Sequence, residues 1–529
     1  MPYDFIIKNG TVIDGSGTVN MYKADVAIQG GVIAKIGFLG NTEAKTKIDA
    51  HGMYVTPGFI DVLSHSDTYL TLFTAPKQES LVAQGVTTII GGNCGYSLAP
   101  LVSGGVIDSA QQWTDPSQIN INWLRMSEYL EKLEEKKFAV NFGTLTGYNT
   151  LLKGVLKGEY RQPSSQENEI VSFLLEQSLQ EGSFGLSLGL AYLYQDKHCA
   201  DHLESMFATV KKYDRMLTVH LRDESHQFLD SLSSVLHLAE EYGVKLHLSH
   251  LKVNGRQFWP NFKKAIALIG EARAKGLSVS FDLFPYASSA LALYLLLPPW
   301  VTVGGPRMIL KRLGNSFDRR QIAKDLALQA LEYDKMTIAS RAPDAVFVGR
   351  TISQVARNLG ISGEEAIVEL LVGSNLQVIV FAHVLDEMNV RAGLAHPLSV
   401  VASSGAGYAA APIRSRGDLP HPRSFGTFPR FFKKYVREKQ ALSWEEAVAK
   451  SSGIAARRFG ISKRGLLKEG YFADVTVCDP HAIEDAATFQ DPYHLSKGIR
   501  AVLVNGAPVF RQGAFMDDFP GKILKSGGN

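Results

Sequence analysis

The run Thr56-Pro-Gly-Phe-Ile-Asp-Val-Leu-Ser-His-Ser-Asp67 constrains the fold more than any other part of the chain. Apolar residues (Tyr54, Val55, Phe59, Ile60) lead into it, and Asp61, His65, Ser66 and Asp67 follow at once. That order suits a buried strand whose carboxyl end delivers polar groups into a cavity, as the strands of β/α barrels do.

Seven further β runs alternate with amphipathic segments, at 87–92, 139–145, 184–189, 217–220, 246–250, 279–284 and 400–402. Helical periodicity fills the gaps, over 126–137, 167–180, 228–242 and 260–275. With the strand ending near His65 the count is eight, which predicts an α/β fold, a (β/α)8 TIM-like barrel. Residues from about 288 to 376 do not fit one βα unit and read as an insertion near strand seven, a lid or small subdomain. Segments 428–439 and 444–458 read as closing helices, the second opened by a Ser443/Glu446 capping box.

Both ends of the chain are rich in short β runs. Asn9-Gly10 and Gly30-Gly31 mark turns near the start, and Asn505-Gly506 repeats the theme near the end. The termini are therefore expected to build one small β-sandwich. The division is 1–55 and 461–515 for the sandwich, 56–460 for the barrel, and a frayed tail over 516–529.

Composition narrows the function classes. At 529 residues the chain exceeds one ordinary core, and 45% hydrophobic with 20% charged content suits a soluble globular protein. A net charge of +3 gives no reason to expect nucleic acid or an anionic membrane as partner. Cys94, Cys199 and Cys478 are too few and too odd for a disulfide framework, which points to a reducing, cytoplasmic setting. The N-terminus lacks the pattern of a signal peptide. The most apolar stretch, 291–299, falls short of the ~20 residues of a membrane span. A small-molecule partner is expected, and the oligomeric state is left open.

Three residues carry the chemistry. Cys94 follows one predicted strand, and His220 and His250 end two consecutive ones. A thiolate and two neutral imidazoles with an open fourth position make a catalytic zinc site. His247 alternates to the other strand face and is not expected to be a ligand.

Taken together, several runs make the chain resemble the D-aminoacylase (N-acyl-D-amino-acid deacylase) family of the amidohydrolase superfamily, over nearly its whole length. They are 56–61, 92–100, 184–192, His220-Leu-Arg-Asp-Glu224, 249–252, Phe284-Pro-Tyr286, 421–429 and 466–474. The resemblance implies one tightly bound Zn2+ on Cys94, His220 and His250, with His65 as a further metal-ligating candidate. It implies a substrate carboxylate on Lys252 and Arg423, with Tyr286 near the substrate. It also implies cleavage of the amide bond of N-acyl amino acids, in the D series, or of a related small amide, by zinc-activated water.

The chain departs from the family pattern at Leu63, where the first histidine of H-x-H is expected, and at Ser404, where the family has its catalytic aspartate. Phe284 also stands where the family tends to have tyrosine. His65 or Asp67 would then have to serve as surrogate base, since losing a general acid–base group costs ~10²–10⁴-fold in rate. The alternative reading is a catalytically impaired amidohydrolase fold acting as a binding or scaffold protein.

Overall fold

The computed structural model describes residues 2–102, 121–193, 203–329, 331–411 and 418–527. Cys199 lies outside them. Eight parallel strands build the barrel: Phe59–Asp61, Val86–Gly91, Asn141–Thr144, Gly185–Gly189, Met216–His220, Lys245–Leu248, Val279–Leu283 and Ser399–Val401. The third strand bends at Leu145 and resumes as Thr146–Gly147, which pairs with the fourth. The ring closes where the chain passes beyond its first and last strands. There Ser404 N donates to Leu63 O at 2.9 Å, and His65 N to Gly405 O at 2.7 Å.

Apolar side chains fill the barrel because its strands are buried on both faces. Ile60, Val62, Leu63, Ile90, Leu145, Phe184, Met216, Val400 and Ala402 form one buried cluster inside it. Leu63 is 1% exposed within that packing. A leucine in the place of the expected histidine is thus absorbed as core.

The insertion lies between strands seven and eight. It contains an antiparallel sheet of Ser289–Ala292, Ile379–Ala382 and Met336–Ser340, with Ile379–Ala382 in the middle. Its helices bury a separate apolar cluster that includes Leu293, Ile309, Ile338, Val355 and Leu371. The apolar 291–299 stretch enters this sheet, turns over Leu293–Leu296, and starts the helix Pro299–Thr302 at its second proline.

Strands from the two termini join in one nine-stranded sheet, where Tyr54–Pro57 pairs with Val475–Cys478. Gly30-Gly31 and Asn505-Gly506 form tight turns with positive φ, as expected. Asn9-Gly10 does not. It is a bulge inside the single strand Tyr3–Val12, with the register shifting between Ile7 and Gly10. Asp25 holds the bulge in place by accepting from Asn9 N at 2.9 Å and Lys8 Nζ at 2.6 Å.

Two other expectations change. The described part of the tail, through residue 527, is docked rather than frayed: Lys522 O accepts from Phe142 N at 2.9 Å, and Leu524 N donates to Phe142 O at 2.7 Å. The outward backbone groups of Phe142, within strand three, supply the partner that composition could not reveal. The first closing helix begins earlier than expected, at Arg423, and runs as Arg423–Arg430 before widening to a π-helix over Phe431–Glu438. Pro429, with no N–H to donate, sits just before the change. Ser443 and Glu446 cap the next helix reciprocally, as the sequence indicated. Among the described residues no helix is long and apolar enough to cross a membrane.

Candidate active site

The carboxyl ends of the strands bring three donor residues together above the apolar filling. Cys94 follows strand two, His220 ends strand five and His250 follows strand six. Their donor atoms lie within 4.8 Å of one another, and all three residues are buried. Cys94 Sγ is 3.4 Å from His250 Nε2. His220 Nδ1 is buried and has no hydrogen-bond partner. The opposite ring nitrogens both face Glu224, whose Oε1 lies 3.5 Å from His220 Nε2 and 3.4 Å from His250 Nδ1.

This arrangement fits zinc on physical grounds. A buried nitrogen without a partner is rare and calls for one. Histidines that bind metal turn their other nitrogen toward a carboxylate, which fixes the ring. Burial pushes the Cys94 thiol up to about 12 and holds both imidazoles well below their ordinary range. The rings are therefore neutral donors, and the thiol needs a cation beside it to ionise.

The backbone is shaped to deliver these groups. Cys94, His250 and Ser404 adopt left-handed φ values of 53°, 36° and 48°. Such conformations are unfavourable for non-glycine residues and gather where surrounding structure imposes them. Glycines let the Cys94 loop settle against its neighbours: a Cβ on Gly189 would lie 2.0 Å from Cys94 O, and one on Gly92 2.1 Å from Leu145 O. Asp282 supports the next loop, accepting from His250 N at 2.9 Å while its other oxygen holds His247 Nε2 at 2.9 Å. His247 is thus a buried buttress, apart from the three donors.

A cavity of about 190 Å³ opens over the three donors. Lys252 reaches it, but its ammonium is engaged by Glu224 and by His250 Nδ1 at 2.9 Å. Asn254 Nδ2 donates to the second oxygen of Glu224 at 3.2 Å. Glu224 was not singled out from sequence, although it stands four residues after His220. Arg423 also lines the cavity, is 6% exposed, and its Nε is buried without a partner. Its guanidinium lies 4.9 Å from the Phe284 ring centre. Among the described residues no acidic group pairs with it. Ser404 lines the same cavity.

The other expected residues divide between the donor cluster and the surrounding structure. His65 Nε2 is 4.0 Å from Cys94 Sγ, beside the three donors. Burial and the Arg423 charge lower its pKa to about 3, so the ring is a weak proton acceptor. Tyr286 packs edge-on against His421 and donates to Pro422 O at 3.3 Å, behind the cavity wall. Asp67 turns under strand two, where its Oδ2 accepts from Gly92 N at 2.7 Å and its Oδ1 has no partner. It is a structural carboxyl, and the tight turn just after the strand carries it away from the cavity.

Burial raises the Asp67 pKa from 3.8 to about 6. The native state therefore holds a proton that the unfolded chain has released between those values. Stability from this group is highest below the lower value and falls as pH rises through the window. In melting curves the Tm of Asp67→Asn relative to the unmodified protein is expected to be higher at pH 8 than at pH 4.5. A difference that does not change with pH would show that the carboxyl is ionised throughout.

Comparison with known proteins finds relatives along nearly the whole chain. The amidohydrolase family pattern matches residues 408–510. The chain is 30% identical to the D-aminoacylase of Alcaligenes xylosoxydans xylosoxydans over 529 residues, spanning 99% of this chain and 98% of that protein. It is 31% identical to the N-acyl-D-aspartate deacylase of the same organism over 528 residues, spanning 99% and 95%. The crystal structure of N-acyl-D-glutamate deacylase from Bordetella bronchiseptica, complexed with zinc and a phosphonate mimic of the tetrahedral intermediate, matches with a TM-score of 0.83. Identity there is 29%, over 99% of this chain and 100% of that one.

Proposed function

The chain belongs to the D-aminoacylase family of amidohydrolases, and on that footing we propose that it hydrolyses the amide bond of N-acyl D-amino acids with one zinc ion held by Cys94, His220 and His250. The observation that carries this reading is the meeting of two features in one cavity. The donor set with the orphaned His220 Nδ1 faces the buried, unpaired cation of Arg423.

Zinc in that position supplies a Lewis acid that polarises the scissile carbonyl and acidifies water. The chain's own residues do the rest. Arg423 presents a planar fork that takes the substrate carboxylate in two parallel hydrogen bonds. Lys252 and Asn254 hold Glu224 against both histidines and so fix the orientation of the two rings. Lys252 is thereby committed to Glu224, and Arg423 becomes the principal carboxylate anchor. Leu291, Leu295 and Leu296 of the insertion form an apolar wall over the cavity. Ser404 offers a hydroxyl that orients water but does not act as a base near neutral pH. A reducing compartment, as in the cytoplasm, suits a site built on a free thiol.

Release of primary amine from a panel of N-acetyl amino acids tests the activity. The zinc-loaded protein is expected to favour D over L enantiomers, and to lose turnover when the carboxylate is replaced by a primary amide. Equal rates for the two enantiomers, or no dependence on the carboxylate, would contradict the reading.

A further inference from the structure

A second cavity of about 240 Å³ adjoins the first and shares Tyr69, Ala290, Ser404 and Arg423 with it. Arg423 therefore borders both chambers. Its guanidinium carries five N–H donors, of which a substrate carboxylate uses two. The carboxylates that reach these chambers are already engaged. Glu224 is held by Lys252 and Asn254, Asp223 by Ser225 N at 2.6 Å and Ser225 Oγ at 3.0 Å, and Asp418 by Arg341 N at 3.3 Å. Amide hydrolysis needs a group that moves a proton from water to the leaving amine. The junction instead presents a buried cation with donors to spare and a hydroxyl, Ser404.

From this geometry we infer that the junction of the two chambers, at Ser404 and Arg423, binds a small exogenous carboxylate of formate or acetate size, which serves as the general base of the reaction. The inference rests on the hydrolase reading above. The anion enters from the second chamber, so the first can hold substrate at the same time. It takes a proton from the attacking water as the C–O bond forms and gives that proton to the amide nitrogen as the C–N bond breaks. It leaves as the carboxylate that entered. Water and amide are consumed, and one carboxylic acid and one amine result.

The test is titration of sodium formate and sodium acetate at constant ionic strength into the zinc-loaded protein, with kcat/KM measured for an N-acetyl D-amino acid. Calorimetry of the same anions with the zinc-free protein runs beside it. A saturable rise of at least ~10-fold in kcat/KM is expected, part of what a positioned base contributes. Ser404→Asp, which fills the junction with a fixed carboxylate, is expected to abolish both the activation and the calorimetric binding. Ser404→Ala, which removes the hydroxyl but leaves the space and the Arg423 cation, is expected to retain both with a weaker anion affinity. Purely competitive inhibition, no effect, or equal activation in Ser404→Asp would overturn the inference while leaving the hydrolase reading intact. If no substrate turns over with or without anion, the hydrolase reading fails instead. Calorimetric binding lost in Ser404→Asp then still supports the anion site, and its absence in the unmodified protein overturns it.

Discussion

Replacing Ser404 with aspartate is expected to raise kcat for N-acyl D-amino acid hydrolysis by ~10²–10⁴-fold when no carboxylate is added to the buffer, the range a positioned acid–base group contributes. The backbone tolerates the change. Ser404 has φ 48°, and aspartate enters the left-handed region more readily than most residues do. Space exists, because the side chain borders two cavities. The Arg423 cation along the same walls favours the ionised form of the introduced carboxylate. His65 does not fill this need. Its ring, lowered to about pKa 3 by burial first and by Arg423 second, is a weak proton acceptor near neutrality. Steady-state kinetics with zinc content measured in the same samples decides the matter. No gain at equal zinc content would mean that the proton is moved by a group not placed at Ser404.

The barrel was legible because most of its strands are rich in apolar residues and give way to polar ones at one end. His220 and His250 could be read as site residues for that reason, since each closes or follows such a run. Cys94 was legible through the glycines around it, which allow the close packing the loop requires. The capping box at Ser443 and the turn at Gly30-Gly31 are local devices and survive intact. Asn9-Gly10 shows the limit of local reading. The same dipeptide serves a hairpin or a bulge, and Asp25, sixteen residues away, selects the bulge by binding Lys8 and Asn9.

What the sequence hid depends on groups that meet only in three dimensions. Glu224 closes the His220–Glu224 run, yet its role appears only when His250 and Lys252 close around it. Lys252 and Arg423 read alike as free cations, and the difference between them is one partner, Glu224. Asp67 follows the barrel strand as closely as His65 does. The chain turns sharply there, with Leu70 at φ 59°, and sends the carboxyl down to Gly92. Tyr286, on the run that resembles a substrate-binding motif, is held away from the cavity by packing on His421.

Cys94→Ala is expected to have the largest negative effect on function. It removes the one anionic donor of the set, and two neutral imidazoles alone hold zinc far less tightly. Activity falls with the metal, by at least ~10³-fold in kcat/KM, since zinc supplies several kcal/mol of charge stabilisation in such reactions. The fold should persist. Cys94 sits on a loop after strand two and is not part of the cluster that fills the barrel. Zinc quantified by elemental analysis, alongside amine release from an N-acetyl D-amino acid in the same preparation, therefore tests the central claim most directly. About one zinc per chain with turnover is expected in the unmodified protein, and loss of both in Cys94→Ala with near-unchanged circular dichroism. Zinc bound at full occupancy in Cys94→Ala, or turnover that survives its loss, would contradict that claim.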